Sequence, residues 1–338
     1  MTKAAILSLA RRLGGFGLAQ ALTSGRLRIL CYHGLWTETD APFGDRLFMP
    51  AAQFEARMNW LASSGFPVLP LGDAVDRLDR NDLPKGATVI TIDDGWSSTY
   101  THMLPVLERL NLPATCYVTT YYVEKGGLVA NVAINYLTDR AAPQTYDLSG
   151  TLPALDGPVI INDPASRDEA SARLRAAIDK FSFARKMQAL AAIAAQLGFD
   201  ADAFMTSRQF GLMTPDEVRD AAGRGLDIQL HTHRHRGLGT GVDHLAGEIE
   251  DNRARLARML PPTAPLNQFC YPSGHFDPAS EPILKAAGVR SATMVDEGIN
   301  APGTNPYRLR RFLDGRSVAQ DHVHAYLAGA LDLVERVR

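Results

Sequence analysis

The sequence predicts an α/β protein with parallel strands, and three observations carry that reading. Short apolar runs alternate with segments of helical period along most of the chain. Several helical segments carry start and stop signals where the pattern breaks. The length, 338 residues, suffices for two domains or for one large α/β barrel with a sizeable core. With 46% hydrophobic and 21% charged residues, composition is ordinary globular usage, which excludes wholesale disorder.

Taken in order, strands are expected at 27–32, 67–71, 87–92, 114–119, 226–230, 268–271, 291–295 and 307–312. Helices are expected at 51–63, 71–78, 100–110, 215–222, 244–259 and 278–287. Gly65 and Gly288 follow the last turns of two helices, as left-handed C-caps do. Thr214-Pro215-Asp216-Glu217 supplies an N-cap with proline at the first helical position. Residues 121–212 break the rhythm. They open after a strand end, pass through a Pro- and Asp-rich irregular stretch at 141–163, and continue as a long helical region over 167–197. Loops after strand C-termini surround the active site in parallel α/β folds, so an insertion here is expected beside the mouth of a site. A peripheral bundle that only adds bulk fits the pattern equally well.

Two short segments carry the chemistry. Thr91-Ile92-Asp93-Asp94-Gly95 and His231-Thr232-His233-Arg234-His235 each follow a run that reads as a buried strand. Two imidazoles four residues apart and one carboxylate make three ligands for a divalent metal. A position then stays open for water, as in catalytic rather than structural sites. His231 and His235 fall on one side of a helical turn or tight loop, with His233 directed away. Asp93 and Asp94, adjacent in an extended segment, point to opposite sides, so one faces a metal and the other moves protons. Asp-Asp-Gly alone is a common turn, and clustered histidines also occur in solvated loops. Their joint placement at two strand ends, in a chain with nine histidines, points to a metal-assisted hydrolase.

These segments resemble motifs of the polysaccharide deacetylases, the NodB-homology or carbohydrate esterase family 4 enzymes. The family's Thr-Phe-Asp-Asp-Gly appears as Thr91-Ile92-Asp93-Asp94-Gly95, and its His-Ser/Thr-x-x-His as His231 to His235. Leu30-Cys31-Tyr32-His33-Gly34, Leu112-Pro113-Ala114-Thr115 and Phe269-Cys270-Tyr271-Pro272-Ser273-Gly274 are similar to flanking family text. The likeness implies a distorted (β/α) barrel of about seven strands, TIM-like, binding a divalent metal such as Zn2+. It implies that Asp94, His231 and His235 are metal ligands and that Asp93 is the general base. Ser273, Tyr271 and Gly274 would then lie on the substrate and oxyanion side. The implied reaction removes N-acetyl groups from amino sugars of a polysaccharide or its precursor. The domain plan becomes an N-terminal extension (1–25), a barrel in two pieces (26–120 and 213–315), the insertion (121–212) and a C-terminal helix (316–338).

The likeness fails in two places. Where the family's third motif has an arginine beside the base and a tyrosine whose backbone holds the oxyanion, this chain has Cys270 and Ser273. Backbone donation from Ser273 is independent of its side chain. A carboxylate lacking its cation has a higher pKa and looser geometry, and Arg311 is the expected substitute from a different strand. The competing reading of Arg311 is an exposed charge at the barrel end. The late Leu-x-His that supplies a general acid in many relatives is also missing. His33, next to a strand end, is the first candidate for that part and His275 the second, whereas His322 and His324 read as solvated.

A formal net charge of -2 gives no reason to expect nucleic acid as a partner, and a neutral or mildly charged carbohydrate fits better. Cys31, Cys116 and Cys270 are widely spaced in apolar runs, so they read as buried reduced thiols. No stretch approaches the ~18–20 apolar residues of a membrane span. Near the N-terminus Ile6, Leu9, Ala10 and Leu13 form an amphipathic stripe, able to make at most weak membrane-surface contact. A cytoplasmic location is expected, with secretion through an atypical signal as the alternative. Two competing functions stand beside the deacetylase: a non-catalytic carbohydrate-binding barrel, and an amidohydrolase, whose His-x-His normally lies on the first strand.

Overall fold

The computed structural model describes residues 14–153 and 155–336. Seven strands form one parallel sheet: β1 (Arg28–Tyr32), β2 (Thr88–Ile92), β3 (Thr115–Val118), β4 (Asp227–Leu230), β5 (Gln268–Cys270), β6 (Ser291–Thr293) and β7 (Phe312–Leu313). Their spatial order is β6-β5-β4-β3-β2-β1-β7, so chain neighbours are sheet neighbours and β7 returns beside β1. Leu30 lies opposite Phe312 and Cys31 opposite Leu313. Just before β7, Leu309 bridges Thr293 of β6, and Arg311 N donates to Asp296 O at 3.0 Å. One segment is therefore bonded to β6 at its start and to β1 at its end. This curls the sheet into a distorted (β/α) barrel with all strand C-termini at one rim.

Parallel strands are covered on both faces, and every residue of β1, β2, β3, β5 and β6 is buried. The helix Leu71–Arg80 shows how the cover is built. Its Leu71, Ala74, Val75 and Leu78, spaced as one helical face, join a cluster with Leu27, Ile29 and Val89. Helix Pro215–Gly223 starts on a capping box, with Glu217 N donating to Thr214 Oγ1 and Thr214 N to Glu217 Oε2. Gly65 and Gly288 take φ of 78° and 71° after their helices, the left-handed region expected of them.

The chain divides into two compact units, one running up to Tyr121 and resuming at Met213, the other Tyr122–Leu212. The second unit packs four helices, Ala130–Arg140, Pro164–Ile178, Phe183–Gln196 and Ala201–Thr206, with Ile134, Leu137, Leu174, Leu190 and Ile193 in its core. Arg167 Nη1 donates to the carbonyls of Thr138, Asp139 and Ala141, satisfying the C-terminal end of the first of these helices.

Several expectations are corrected. The strand at 67–71 reduces to a single bridge from Val68 to Thr88, because Pro67 and Pro70 lack the N–H groups a ladder needs. Residues 307–312 begin as a 3-10 turn, Pro306–Arg308, and become strand only at Phe312. The 100–110 helix opens with a π-helical turn, Thr99–Met103, ahead of Pro105. The irregular 141–163 stretch holds an antiparallel hairpin, Gln144–Tyr146 with Val159–Ile161. The long helical region at 167–197 is broken at Ser182, whose side chain caps a second helix by accepting from Arg185 N. The C-terminal helix is two, Gln320–Leu327 and Ala330–Arg336, parted by Gly329 at φ 78°. In the N-terminal extension Gly15–Leu22 is helical, while Ile6, Leu9, Ala10 and Leu13 lie outside the described residues. His324 is half-buried among the rings of Phe16, Trp60 and Phe66 rather than simply solvated, and His322, also half-buried, lies tilted against the Phe312 ring.

Just beyond β7, Asp314 is buried against Arg57 of the helix Ala51–Ser63, at 2.9 Å, and accepts from Tyr32 Oη at 3.2 Å. Burial raises the Asp314 pKa despite Arg57 beside it. Arg57→Met should therefore destabilise the protein by about 3–5 kcal/mol, because a buried carboxylate loses its only cation. Urea unfolding is the measurement. Arg57→Met/Asp314→Asn should recover most of the loss, and an equally unstable double variant would contradict the pairing.

Candidate active site

Asp93 and Asp94 leave β2 at the rim where the strands end. Asp93 N still donates to Tyr32 O at 2.9 Å, and then the chain turns. Asp94 has φ 72° and Gly95 φ 84°, a pair of left-handed residues that sends the two carboxylates to different partners. A Cβ on Gly95 would meet both Val118 methyls at 3.3 Å, so glycine is needed for fit as well as for φ.

Asp94 Oδ1 lies 3.2 Å from His231 Nε2 and 3.3 Å from His235 Nε2, while its Oδ2 accepts from Trp96 Nε1 at 2.8 Å. The histidines sit on a loop after β4, not on a helical turn; Thr232 and His235 take φ of 62° and 54°. A β-branched residue in the left-handed region is strained. Of six non-glycine residues with positive φ among the described residues, four (Asp94, Thr232, His235 and Ser273) are in the loops of this rim. His233 turns away as expected, its Nδ1 2.9 Å from Thr120 Oγ1.

His231 Nδ1 lies 2.8 Å from Cys270 O. A carbonyl only accepts, so Nδ1 carries a proton and Nε2 is the nitrogen turned toward Asp94. Burial disfavours a charged ring, but Cys270 and the Asp94 carboxylate beside it raise the His231 pKa well above its ordinary value. Two imidazole nitrogens and one carboxylate oxygen therefore face each other, an arrangement that calls for a cation between them. Ligands about 2.0–2.1 Å from a tetrahedral ion stand about 3.3 Å apart, which the two observed N···O separations match. Burial pushes the Asp94 pKa up, but the adjoining His231 and His235 outweigh it and hold it well below the usual range. The groups Cys31–His33–Asp93 and Asp93–His231–Cys270 are as compact. They fit an ion less well, because the guanidinium described next occupies both Asp93 oxygens.

Arg311 is fully buried and is no barrel-end surface charge. Its Nη1 and Nη2 each donate to one oxygen of Asp93 at 2.7 Å, a fork-to-fork pair. Nε donates to Met294 O at 2.6 Å, and Nη1 also reaches Thr91 Oγ1 at 3.2 Å. Burial raises the Asp93 pKa, but Arg311 outweighs that and holds it at about 2. The Cys31 and Cys270 thiols lie 3.6 and 3.4 Å from Asp93 Oδ2, both reduced and buried. Burial raises the Cys31 thiol well above its ordinary pKa, so it meets Asp93 as a neutral S–H.

His33 Nε2 stands 3.8 Å from Asp93 Oδ2, near but beyond a hydrogen bond, and its buried Nδ1 has no partner. Burial lowers its pKa despite the adjacent Asp93 and Asp94, so the ring is neutral at pH 7. Ser273 (φ 58°), exposed, and Gly274 (φ 69°), buried, form a tight turn after β5. The Tyr271 hydroxyl donates to Tyr307 O and accepts from Ser280, and its backbone is engaged as well, N with Thr293 O and O with Gly274 N, so this residue shapes the turn. His275 is exposed beyond that turn.

Two supporting residues escaped the sequence reading. Asn252, fully buried, accepts from His231 N at 3.0 Å and donates to Val118 O at 3.0 Å, tying β3 to β4 behind the histidines. Glu248 accepts from Arg234 N at 2.7 Å. The available signal was positional: Asn252 falls on the apolar stripe Leu245, Ile249, Leu256 of its helix, where a polar residue needs a reason.

The comparisons agree with this picture. Residues 80–145 and 179–292 match the model of the family described as polysaccharide deacetylase. "Putative polysaccharide deacetylase YxkH" of Bacillus subtilis (strain 168) is 33% identical over 94 residues, 28% of this chain and 32% of that protein. The match thus spans about a third of the relative's length. Among solved structures, the Streptococcus pyogenes deacetylase PplD in complex with acetate aligns with TM-score 0.60 and 15% identity, over 90% of this chain and 99% of that one. IcaB from Ammonifex degensii aligns with TM-score 0.54 and 18% identity, over 90% and 97%. At such identities these two establish likeness of fold.

The Asp93 pair has a pH signature. Its folded pKa, about 2, lies below the unfolded value of about 3.9, so its stabilisation is complete above about pH 5 and is lost as pH falls through 2. The size is about 2 kcal/mol. Unfolding free energies measured from pH 5 to 2 should fall less steeply in Asp93→Asn/Arg311→Met than in the native protein. Identical slopes would show that the pair does not form.

Proposed function

This chain belongs to the polysaccharide deacetylase family, and we propose that it is a metal-dependent hydrolase removing N-acetyl groups from amino sugars of a polysaccharide or its precursor. One observation carries the reading: Asp94, His231 and His235 converge on one point while Asp93, the next residue along the chain, is locked to Arg311. Asp94, His231 and His235 would hold the ion, and nitrogen and oxygen donors of this kind suit Zn2+. A bound divalent ion supplies Lewis acidity, polarising the acetamide carbonyl and lowering the pKa of a coordinated water toward ~7.

Asp93 accepts the proton that the attacking water gives up. Arg311 keeps that carboxylate ionised and fixes its plane, so the base is aligned before substrate arrives. The backbone N–H of Ser273 stabilises the charge that develops on the carbonyl oxygen, while that of Gly274 closes the turn by donating to Tyr271 O at 2.8 Å. His33, beside Asp93, hands a proton to the departing amine. With both Asp93 oxygens held by Arg311, the neutral His33 ring has room to take up a proton from Asp93 during the cycle and pass it on. The non-catalytic alternative drew support from the missing arginine of the third motif, and Arg311 removes that support. We propose a cytoplasmic site of action, and cell fractionation tests it.

The decisive assay is acetate release from N-acetylglucosamine oligomers, run alongside metal analysis. His231→Ala should lose bound metal and turnover together. Asp93→Asn should keep metal and lose turnover by a factor of roughly 10²–10⁴, the usual share of a general base. Full activity in Asp93→Asn, or metal retained in His231→Ala, overturns the assignment.

A further inference from the structure

A cleft of about 600 Å³ opens beside the Ser273–Gly274 turn, lined by His275, Phe276, Asp296, Asn305, Arg308 and Arg310 among others. None of the ion pairs among the described residues involves Arg308 or Arg310. The nearby carboxylate that feels Arg308, Glu281, has both oxygens engaged: Lys285 Nζ donates to one and Asn305 Nδ2 to the other, each at 2.9 Å. The Arg308 guanidinium carbon instead lies over the Phe276 ring, 4.2 Å from its centroid. The stem of Arg310 runs over Gly298, where a Cβ would come within 2.8 Å of Arg310 Cδ, so the backbone makes room for that side chain. One carboxylate, Asp296, faces these two guanidiniums, and the cleft keeps a net positive charge.

We propose that this cleft is a saccharide subsite for an acidic sugar residue flanking the N-acetylated one, its carboxylate held by Arg308 and Arg310 and its ring placed against Phe276. The proposal rests on the deacetylase reading and deepens it, by making the substrate an anionic rather than a neutral glycan. The connection to the reacting centre is short. His275 is five residues from Cys270, whose carbonyl holds His231, so the cleft wall lies within ~16 Å of contour length. A glycan of a few units spans that distance. Guanidinium forks recognise carboxylates bidentately, and the aromatic ring gives an apolar sugar face something to cover.

The test compares two oligosaccharides of equal length: hyaluronan fragments, in which N-acetylglucosamine alternates with glucuronate, and neutral chitin oligomers. Binding is measured by calorimetry on the native protein and on Arg308→Ala/Arg310→Ala, and acetate release is followed in parallel. The native protein should bind the acidic oligomer about tenfold more tightly, as expected of two partly exposed charged contacts. The preference should vanish in the double variant and at ~1 M salt, where screening reaches ~3 Å. Equal binding of both oligomers by the native protein, or a preference that survives the double variant, overturns the proposal. If neither oligomer releases acetate while calorimetry still shows the preference, the deacetylase reading fails and the acidic subsite stands. Release from both without any binding preference is the converse outcome.

Discussion

The buried pair between Arg311 and Asp93 is the constraint on which the rest of the rim depends. Removing a guanidinium and a carboxylate from water is expensive, and two parallel hydrogen bonds at 2.7 Å are the geometry that offsets it. The remaining donors of Arg311 are satisfied by Met294 O and Thr91 Oγ1, so little of its polar surface is left unmatched. With Asp93 anchored, the next residue has one way to turn. Asp94 enters the left-handed region and faces the histidines instead of the barrel axis.

The same logic explains why strain collects where it does. Thr232, His235 and Ser273 hold backbone conformations that side chains of their type avoid, and all three lie in the loops that follow two neighbouring strand ends. His231 is held from two directions, through its ring by Cys270 O and through its backbone by Asn252. That turns Nε2 toward the Asp94 carboxylate, 3.2 Å away. Two imidazole nitrogens and a carboxylate oxygen meeting at one point are a donor set that suits a divalent cation.

Much of this was readable in the residues, for identifiable reasons. Helices such as Ala51–Ser63 declare themselves because one face must be apolar at a fixed period, and caps such as Thr214 act locally. The two candidate ligand segments were legible because carboxylate and histidine clusters at set spacings followed runs that read as strands. Arg311 was harder. Its partner is 218 positions away, and only the return of β7 beside β1 joins them. Nothing local distinguishes it from its exposed neighbour Arg310. The failures share a cause as well. Pro67 and Pro70 defeat an apolar run that otherwise reads as a strand, and the histidines at 322 and 324 were judged by polarity when their neighbours Phe16, Trp60 and Phe312 decide their surroundings.

Placing the guanidinium on the segment that seals the barrel has a consequence for the order of events in the life of the molecule. Leu309 to Leu313 is the last piece of the sheet to leave the ribosome, so a nascent chain carries the ligand loops long before it carries the cation that tunes Asp93. Until that strand docks between its two neighbours, the carboxylate has no counter-ion and no fixed orientation. The geometry around Asp93 is thereby tied to completion of the ring.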